Sequence, residues 1–286
     1  MPDRHKIQPS KKLGQNFLVD KTAVKRVMNA AKIKETDVIL EIGPGSGALT
    51  KELVKKAKKV VAVEKDKKMV AILKEELKDY KNVEIISDDI RRFKNWGLKI
   101  KNSYKIVANL PFYLTAPVIR KFLESGTPPK EMTLVVQKEV GQRICSKVPE
   151  PKRVNPLLRP SPRLGHMNIL AVSIQVYADV KIMGYISKKS FWPQPKVDAA
   201  IIKILPLKIK SHDRRISSQR RNLFFKVVKA GFSQPRKQLI NNLSKSLKLS
   251  RAKVEIWLKK NDIRPTQRAE TLTVKDWIKL AKSIKI

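Results

Sequence analysis

The chain has 286 residues, which is enough for one α/β domain and a small appendage. It carries 63 Lys+Arg against 25 Asp+Glu, and the formal charge of +38 is far beyond what solubility needs, so it indicates a polyanionic partner. One cysteine, three scattered histidines and no apolar run near ~18 residues exclude an internal disulfide, a histidine metal site and a membrane span.

The first predicted helix follows a segment that contains a polar pair. Asp20 is a plausible N-cap for this helix. Its apolar face consists of Val24, Val27, Met28 and Ala31. Phe17 and Leu18, just before the cap, can form a hydrophobic staple. That interpretation leaves the preceding Gln15 and Asn16 without a structural use.

A glycine-rich loop, Gly43-Pro44-Gly45-Ser46-Gly47, follows the buried strand predicted over residues 38–42. Its glycines permit a tight turn and a close approach of a ligand to backbone N–H groups at the start of the next helix. The next predicted strand, residues 60–63, ends at Glu64, whose carboxylate can accept from two ribose hydroxyls. Together these features predict an adenosine cofactor, although Gly43-x-Gly45-x-x-Ala48 also satisfies the dinucleotide fingerprint.

Two aspartates follow the third predicted strand, residues 83–86, after a helix that Asp66 can cap. An acid at this point suits a contact with the adenine amino group of S-adenosylmethionine, which dinucleotide enzymes do not generally make there. Asp88 or Asp89 can equally cap the next segment. The sequence leaves open which aspartate takes which role.

The tetrapeptide Asn109-Leu110-Pro111-Phe112 follows a buried strand, residues 106–108, at the end where α/β sheets place their chemistry. Asn109 offers an acceptor and a donor, Pro111 fixes φ and removes a donor, and Phe112 offers a flat apolar face. This combination suits a planar amine that donates two hydrogen bonds and stacks, such as the exocyclic N6 of an adenine. We interpret the tetrapeptide as a catalytic loop; a plain turn is the alternative.

The following elements complete the α/β region. Thr115 is a predicted N-cap, with Pro117 tolerated in the first helical turn. Residues 146–168 are rich in proline and basic side chains, so we expect a flexible loop that either contacts RNA or is simply solvated. The other predicted elements are a strand at 132–137, helices at 138–145 and 169–177, and strands at 180–187 and 199–205.

The connection between the last two strands is aromatic and stiffened by two prolines, and it begins Phe191-Trp192-Pro193. One hypothesis is a second face that clamps a flipped base. The alternative is a hairpin connection with a core tryptophan.

The last 80 residues are the most basic part of the chain, with a net charge of +17 against +21 over the first 206. After a linker at 207–213, the pattern predicts four short helices, including one over residues 236–247. Thr273 and Asp276 form the capping box of the last helix. We therefore predict an α/β domain over 1–206, including the loop 146–168, and a basic helical RNA-binding domain over 207–286. A general lysine-rich bias would explain the charge differently.

Six motifs in register resemble the small-subunit ribosomal RNA adenine N6,N6-dimethyltransferases of the KsgA type over nearly the whole chain. They are Gln15-Asn16-Phe17-Leu18, Glu41-Ile42-Gly43-Pro44-Gly45, Asn109-Leu110-Pro111-Phe112, Gln137-Lys138-Glu139-Val140, Phe191-x-Pro193-x-Pro195-Lys196-Val197-Asp198 and Arg268-Ala269-Glu270-x-Leu272. The resemblance implies a Rossmann-like class I methyltransferase fold with a mostly parallel seven-stranded sheet. Separately, the cysteine and histidine usage and the lack of a signal-peptide segment predict a cytoplasmic, metal-free protein, which we expect to be a monomer.

The resemblance implies roles for particular residues. The positions expected to bind S-adenosylmethionine are Asn16, Leu18, Gly43, Gly45, Glu64, Asp88 and Asn109. The target adenine would lie between Phe112 and Phe191, and the Asn109 side chain and the Leu110 carbonyl would hold its N6. Residues 146–168 are longer than the family's usual link, and Gln234-Pro235-Arg236-Lys237 replaces a pattern with two arginines, which puts one RNA contact in doubt.

The implied reaction transfers methyl groups to N6 of two adjacent adenosines in the 3′-terminal hairpin of 16S rRNA during small-subunit assembly. One alternative is a large-subunit rRNA methyltransferase of the erythromycin-resistance type, against which the motifs at 191–198 and 268–272 argue. Another is a non-catalytic ribosome-assembly factor, against which Gly43, Glu64 and Asn109 argue. A nicotinamide oxidoreductase is disfavoured by the loop at 109–112 and by the charge.

Overall fold

The computed structural model describes residues 9–10, 13–93, 103–148, 166–207 and 218–284. It divides the chain into two compact units. The first comprises residues 1–142 and 178–206, and the second comprises residues 143–177 and 207–286. The predicted boundaries differ from this division, because they assign residues 143–177 to the α/β domain. Most of the proline-rich segment predicted as a loop, residues 149–165, lies outside the described residues.

The first unit is built on short runs of β-branched and other apolar residues that form buried strands. Its strands are β1 (Phe17–Leu18), β2 (Val38–Ile42), β3 (Lys59–Glu64), β4 (Val83–Ser87), β5 (Tyr104–Asn109), β6 (Glu131–Gln137), β7 (Ala178–Ile186), β8 (Phe191–Trp192) and β9 (Ala199–Pro206). The helices between them are α1 (Lys21–Ala31), α2 (Thr50–Leu53), α3 (Lys67–Glu76), α4 (Thr115–Leu123) and α5 (Lys138–Ile144). Each predicted strand therefore corresponds to an observed one.

Seven of these strands form one sheet in the order β4-β3-β2-β5-β6-β9-β7. Neighbouring strands from β4 to β6 are parallel, whereas β9 is antiparallel to both β6 and β7. The order reverses between β2 and β5, and the carboxyl ends of strands beside such a switch point form a crevice. The predicted α/β fold with a mostly parallel seven-stranded sheet is confirmed.

A separate two-stranded sheet joins distant parts of the first unit. β1 pairs antiparallel with β8, so that Leu18 lies opposite Phe191 and Phe17 lies opposite Trp192. Ser190 strengthens this contact, because its backbone carbonyl accepts from Val19 N at 2.9 Å. The segment before α1 is thereby fixed at the crevice.

The second unit is helical in its described part. Its helices are α6 (Ile169–Gln175), α7 (Ser218–Gly231), α8 (Leu239–Leu247), α9 (Arg251–Lys260) and α10 (Val274–Ser283). Its core includes Phe224, Leu258 and Trp277, which are all buried. Ala171 and Val172 of α6 belong to this same core, which is why the helix predicted at 169–177 is part of the second unit.

The structure corrects several details of the predicted helices. Thr115 is the first residue of α4 rather than its N-cap, because a 3-10 turn over 112–114 precedes it and Leu114 occupies the cap position. The helix predicted from residue 236 begins at Leu239, because residues 232–238 form a turn held by Asn242 Nδ2, which donates to the carbonyls of Gly231 and Gln234. The capping box of Thr273 and Asp276 is confirmed. None of the described helices is long and apolar enough to cross a membrane.

Candidate functional site

A cavity lies in the first unit, where the ends of β2, β3 and β5 meet the residues after β4. It encloses about 1090 Å³ of empty space, including open solvent at its mouth. Its lining includes all ten residues predicted from the sequence to form the site: Asn16, Leu18, Gly43, Gly45, Glu64, Asp88, Asn109, Leu110, Phe112 and Phe191. The sheet thus brings together positions as far apart in sequence as 16 and 191, although their roles remain predictions.

The glycine-rich loop adopts a backbone conformation that larger residues rarely adopt. Gly43 and Gly45 have φ values of 65° and 55°, in the left-handed region. A Cβ on Gly45 would lie 2.7 Å from Cδ1 of Phe17, so no side chain fits there. A Cβ on Gly43 would meet nothing within 4 Å, so it would occupy the open space of the cavity. The loop is therefore shaped to leave room for a ligand beside its backbone.

Glu64, the last residue of β3, is buried in the wall of this cavity. Its Oε2 accepts from Gly45 N at 3.1 Å, and its Oε1 accepts from Lys65 N and Asp66 N, both at 2.8 Å. Burial raises the pKa of Glu64, and these backbone N–H groups oppose that shift. The carboxylate is therefore held in one orientation before any ligand arrives.

The structure distinguishes the two aspartates after β4. Asp89 Oδ2 lies 2.6 Å from Arg91 Nη2 and 3.1 Å from Lys65 Nζ, and the hydrogen bonds from Arg91 hold its pKa well below the usual range. Asp88 has no ion pair among the described residues, and its Oδ1 accepts from Asp89 N at 2.6 Å. Because the charge of Asp89 is already neutralised, the geometry favours Asp88 as the residue that is free to accept from a ligand.

Two acceptors belong to residues at the end of β5 and in the loop after it, which line the cavity. Asn109 Nδ2 donates to the backbone carbonyl of Asn16 at 2.9 Å, which fixes the side-chain amide. Within the described ranges, neither Oδ1 of Asn109 nor the carbonyl of Leu110 has a hydrogen-bond donor. Leu110 N donates to the Val135 carbonyl at 3.2 Å, so the loop is held by the neighbouring strand. Two unused acceptors are what a planar amine with two N–H groups requires.

The aromatic residues around this loop differ in exposure. Phe112 is partly exposed in the cavity lining. Phe191, the first residue of β8, also lines the cavity, but it is only 6% exposed and belongs to the hydrophobic core. Tyr113 is the most open of them, at 50% exposure. Phe112 and Tyr113 are therefore more accessible from the cavity than Phe191.

The polar pair that the staple interpretation left unexplained has a structural role. Gln15 Nε2 donates to Asp66 Oδ2 at 2.9 Å, and Gln15 Oε1 accepts from Ser10 N at 2.7 Å. The backbone carbonyl of Asn16 is the acceptor for Asn109. These contacts attach the segment before α1 to the first turn of α3 and to the loop after β5.

Sequence reasoning missed Glu41, which is on β2 and lines the cavity. It is 1% exposed, and its Oε2 has no hydrogen-bond partner within the part of the chain that the structure describes. Burial, reinforced by the charge of Glu64, raises the pKa of Glu41 to about 8. The only signal in the sequence is a charged residue inside an otherwise apolar strand.

The residues present fit S-adenosylmethionine. The open space at Gly43, the fixed carboxylate of Glu64 and the amide of Asn109 provide room and polar partners for an adenosine with a charged tail, as does Asp88, which forms no ion pair within the described ranges. When bound, this cofactor supplies a methyl group on a sulfonium, which is already activated for transfer. Among the described residues, no group of three or more His, Cys, Asp or Glu side chains could hold a metal ion.

The sheet order, the glycine-rich loop and the acid after β3 define the fold of a class I methyltransferase. A family model described as ribosomal RNA adenine dimethylase matches residues 6–285. The chain belongs to this family, so the resemblance inferred from its motifs is confirmed.

Relatives with assigned names support the same family. The chain is 37% identical to the ribosomal RNA small subunit methyltransferase A of Clostridium acetobutylicum over 283 residues, covering 99% of this chain and 96% of that protein. It is 36% identical to the protein of the same name from Dehalococcoides mccartyi over 281 residues, covering 98% of this chain and 90% of that protein.

Two solved structures share the fold. A dimethyladenosine transferase from Plasmodium falciparum matches with a TM-score of 0.72 at 23% identity, covering 92% of this chain and 95% of that one. The 23S rRNA methyltransferase ErmE matches with a TM-score of 0.68 at 22% identity, covering 93% and 98%. At these identities the likeness concerns the fold alone.

Proposed function

We propose that this protein transfers methyl groups from S-adenosylmethionine to the exocyclic N6 of two adjacent adenosines in the 3′-terminal hairpin of 16S rRNA. The small-subunit name of its relatives supports this substrate. The observation that carries the chemistry is the pair of unused acceptors, Asn109 Oδ1 and the Leu110 carbonyl, in the same cavity as Glu64. We further propose that the protein acts as a cytoplasmic monomer on an assembling small subunit.

The cofactor would be held by residues along the strand ends. Glu64 would accept hydrogen bonds from the ribose hydroxyls, and the loop at Gly43 and Gly45 would allow the ligand to approach the backbone closely. Asp88 would accept from the adenine amino group of the cofactor. Asn16 and Leu18, which the β1–β8 pairing fixes at the crevice, would close over the ligand.

The target amine would be held by the loop after β5. Asn109 Oδ1 and the Leu110 carbonyl would each accept from one N–H of N6, which directs the nitrogen lone pair out of the base plane. The ring of Phe112 would stack on the base. Because the loop is held by Asn16 and Val135, the chain contributes positioning rather than a general base, and positioning alone can supply a large part of the rate gain.

Charge accounts for RNA affinity but not for the choice of adenine. The net charge of +38 would neutralise phosphates and give an affinity that falls with salt. Phosphate contacts carry no base information, so unpaired bases and the shape of the hairpin would select the target. We infer that the basic surface of residues 207–286 contributes to this binding.

The test uses purified protein with labelled S-adenosylmethionine and either immature small subunits or large subunits. The expected result is dimethyladenosine in the 3′-terminal hairpin of the small-subunit RNA, located by nuclease digestion and mass spectrometry. Label in large-subunit RNA would instead identify an enzyme of the other rRNA class. No label on either particle, with RNA binding retained, would identify a non-catalytic assembly factor.

A further inference from the structure

Glu41 is a buried acid whose environment is not explained by the packing of the sheet. It lies in the middle of β2, where its backbone neighbours are Ala62 of β3 and Val107 of β5, both fully buried. The side chain is 1% exposed, yet it lines the cavity and its Oε2 lacks a hydrogen-bond partner among the described residues. An unsatisfied buried carboxyl oxygen is costly, which suggests a partner that arrives with the ligand.

Two acids in this cavity are satisfied to different degrees. Glu64 on β3 accepts from three backbone N–H groups, so its negative charge is stabilised in place. Glu41 faces the Thr50 side chain of α2, and the only charged group that acts on it among the described residues is Glu64, which repels it. No cation of the described chain compensates the charge of Glu41. The cavity therefore holds one acid whose carboxylate oxygens are both hydrogen-bonded and one that burial keeps protonated in the free protein.

The methyl donor and the demethylated product differ by one positive charge. S-adenosylmethionine carries a sulfonium, whereas the product carries a neutral thioether, and the amino acid groups are the same in both. We propose that Glu41 is the counter-charge for this cation: it is protonated in the free protein and gives up its proton when the donor binds, but not when the product binds. The inference rests on the proposed location of the donor in this cavity.

The direction in which donor binding depends on pH follows from the burial of Glu41. With a pKa of about 8 in the free protein, Glu41 is mostly protonated at pH 7, and a nearby cation favours its ionised form. Donor binding at pH 7 then releases a proton, and the release decreases as the pH rises above about 8. Between about pH 6 and 8, the ratio of donor affinity to product affinity should increase with pH, by about tenfold per pH unit near pH 6 and less steeply as the pH approaches 8.

Titration calorimetry measures this proton directly. Wild-type protein is titrated at pH 7 with S-adenosylmethionine and with S-adenosylhomocysteine in buffers of different ionisation enthalpy. The expected result is close to one more proton released with the donor than with the product. Because both ligands carry the same ammonium group, the difference between them isolates the response to the sulfonium. Glu41→Gln keeps the shape of the side chain, and we expect it to lose this difference and its pH dependence.

A matched control and a second measurement keep the inference testable. Glu84→Gln removes an exposed acid of β4 that pairs with Lys59 outside the cavity lining, and we expect it to retain the wild-type proton release. Infrared difference spectra of the wild type should show loss of a protonated carboxyl band with the donor and not with the product, whether or not Glu41→Gln folds. Donor binding with the same proton release as product binding would overturn the role of Glu41 alone. Binding of neither ligand would overturn the proposed function as well.

Discussion

The polar groups at the β3 end and the β5 end of the cavity differ in how many of their hydrogen bonds are made within the protein. At the β3 end, backbone N–H groups already satisfy both carboxylate oxygens of Glu64. At the β5 end, the amide nitrogen of Asn109 is used by the Asn16 carbonyl, while no described donor reaches Oδ1 of Asn109 or the Leu110 carbonyl. The acceptors at the β3 end are hydrogen-bonded within the protein, whereas two acceptors at the β5 end have no donor among the described residues.

This difference indicates how binding and chemistry are divided. A carboxylate fixed by three N–H groups can add ligand hydrogen bonds on its remaining lone pairs without reorganising, which favours affinity. Open acceptors on a rigid loop impose an arrangement on the incoming amine, which favours rate. Substitutions at the β5 end should therefore affect turnover, and substitutions at the β3 end should affect donor affinity.

The largest effect is expected for Asn109→Ala. This change removes one of the two acceptors proposed for N6 and also the donor that ties the loop to Asn16. We expect kcat to fall by at least about 100-fold, by analogy with the loss of one preorganised hydrogen-bonding group, while RNA retention is unchanged. Single-turnover methylation and RNA binding are measured on the same preparation.

Asn241→Ala is the matched control for this change, because Asn241 belongs to α8 in the second unit, far in sequence from the loop. It should leave single-turnover rates at the wild-type value. Wild-type turnover by Asn109→Ala would contradict the role assigned to the β5 end.

A second prediction concerns the free energy of unfolding and how it depends on Glu41, the buried acid on β2. The pKa of Glu41 is raised from 4.5 to about 8 by burial, so the unfolded state binds fewer protons than the folded state between these values. The contribution of Glu41 to the stability of the wild type should therefore decline from about pH 4.5 to 8. Glu41→Gln cannot titrate, so its stability relative to the wild type should increase over that range, by about 3 kcal/mol from pH 4.5 to 7.

Urea unfolding without ligand, at pH 5, 7 and 8, checks this prediction. The comparison across pH matters more than the offset at pH 5, because that offset measures how well the amide fits the site. A difference between variant and wild type that does not change with pH would show that Glu41 is ionised in the free protein.

The third prediction tests the β3 end. Glu64→Gln keeps the size of the side chain but removes the charge that strengthens its hydrogen bonds, and its amide group replaces one acceptor by a donor facing backbone N–H groups. Hydrogen bonds to charged groups contribute about 1.5–3 kcal/mol, so we expect donor affinity to fall by roughly 10- to 100-fold. Calorimetry measures the affinity, and saturating donor should restore most of the turnover. A loss of kcat that saturating donor does not restore would contradict the assignment of donor affinity to the β3 end and of turnover to the β5 end.

Sequence patterns predicted the fold, and the residues predicted for the site line one cavity, because both depend on strand ends. Buried apolar runs predicted the strands, and polar residues just after them had to meet at one edge of the sheet. The sequence could not separate Asp88 from Asp89, because Lys65, one of the two cations that pair with Asp89, comes from the end of another strand. It also could not place α6 in the second unit, because a short apolar helix fits either core equally well.

The last prediction separates backbone strain from steric conflict in the glycine-rich loop. Gly43→Ala should lower the free energy of unfolding by roughly 1–2 kcal/mol, the strain of a left-handed φ alone, because its Cβ meets nothing within 4 Å. Gly45→Ala incurs a similar strain together with the contact at 2.7 Å with Phe17, so it should destabilise by more, about 2–4 kcal/mol. Gly126→Ala, with an ordinary φ and open space, is the neutral control.

Donor affinity should rank these variants differently from stability. The methyl group of Gly43→Ala enters the cavity itself, so this variant should bind S-adenosylmethionine more weakly although its fold is the less disturbed of the two. Thermal unfolding without ligand gives the stability order, and calorimetry with the donor gives the affinity order. If Gly43→Ala bound the donor as well as Gly126→Ala does, the donor would not occupy the space beside Gly43. The fully hydrogen-bonded carboxylate of Glu64 at the β3 end would then have a function other than cofactor binding.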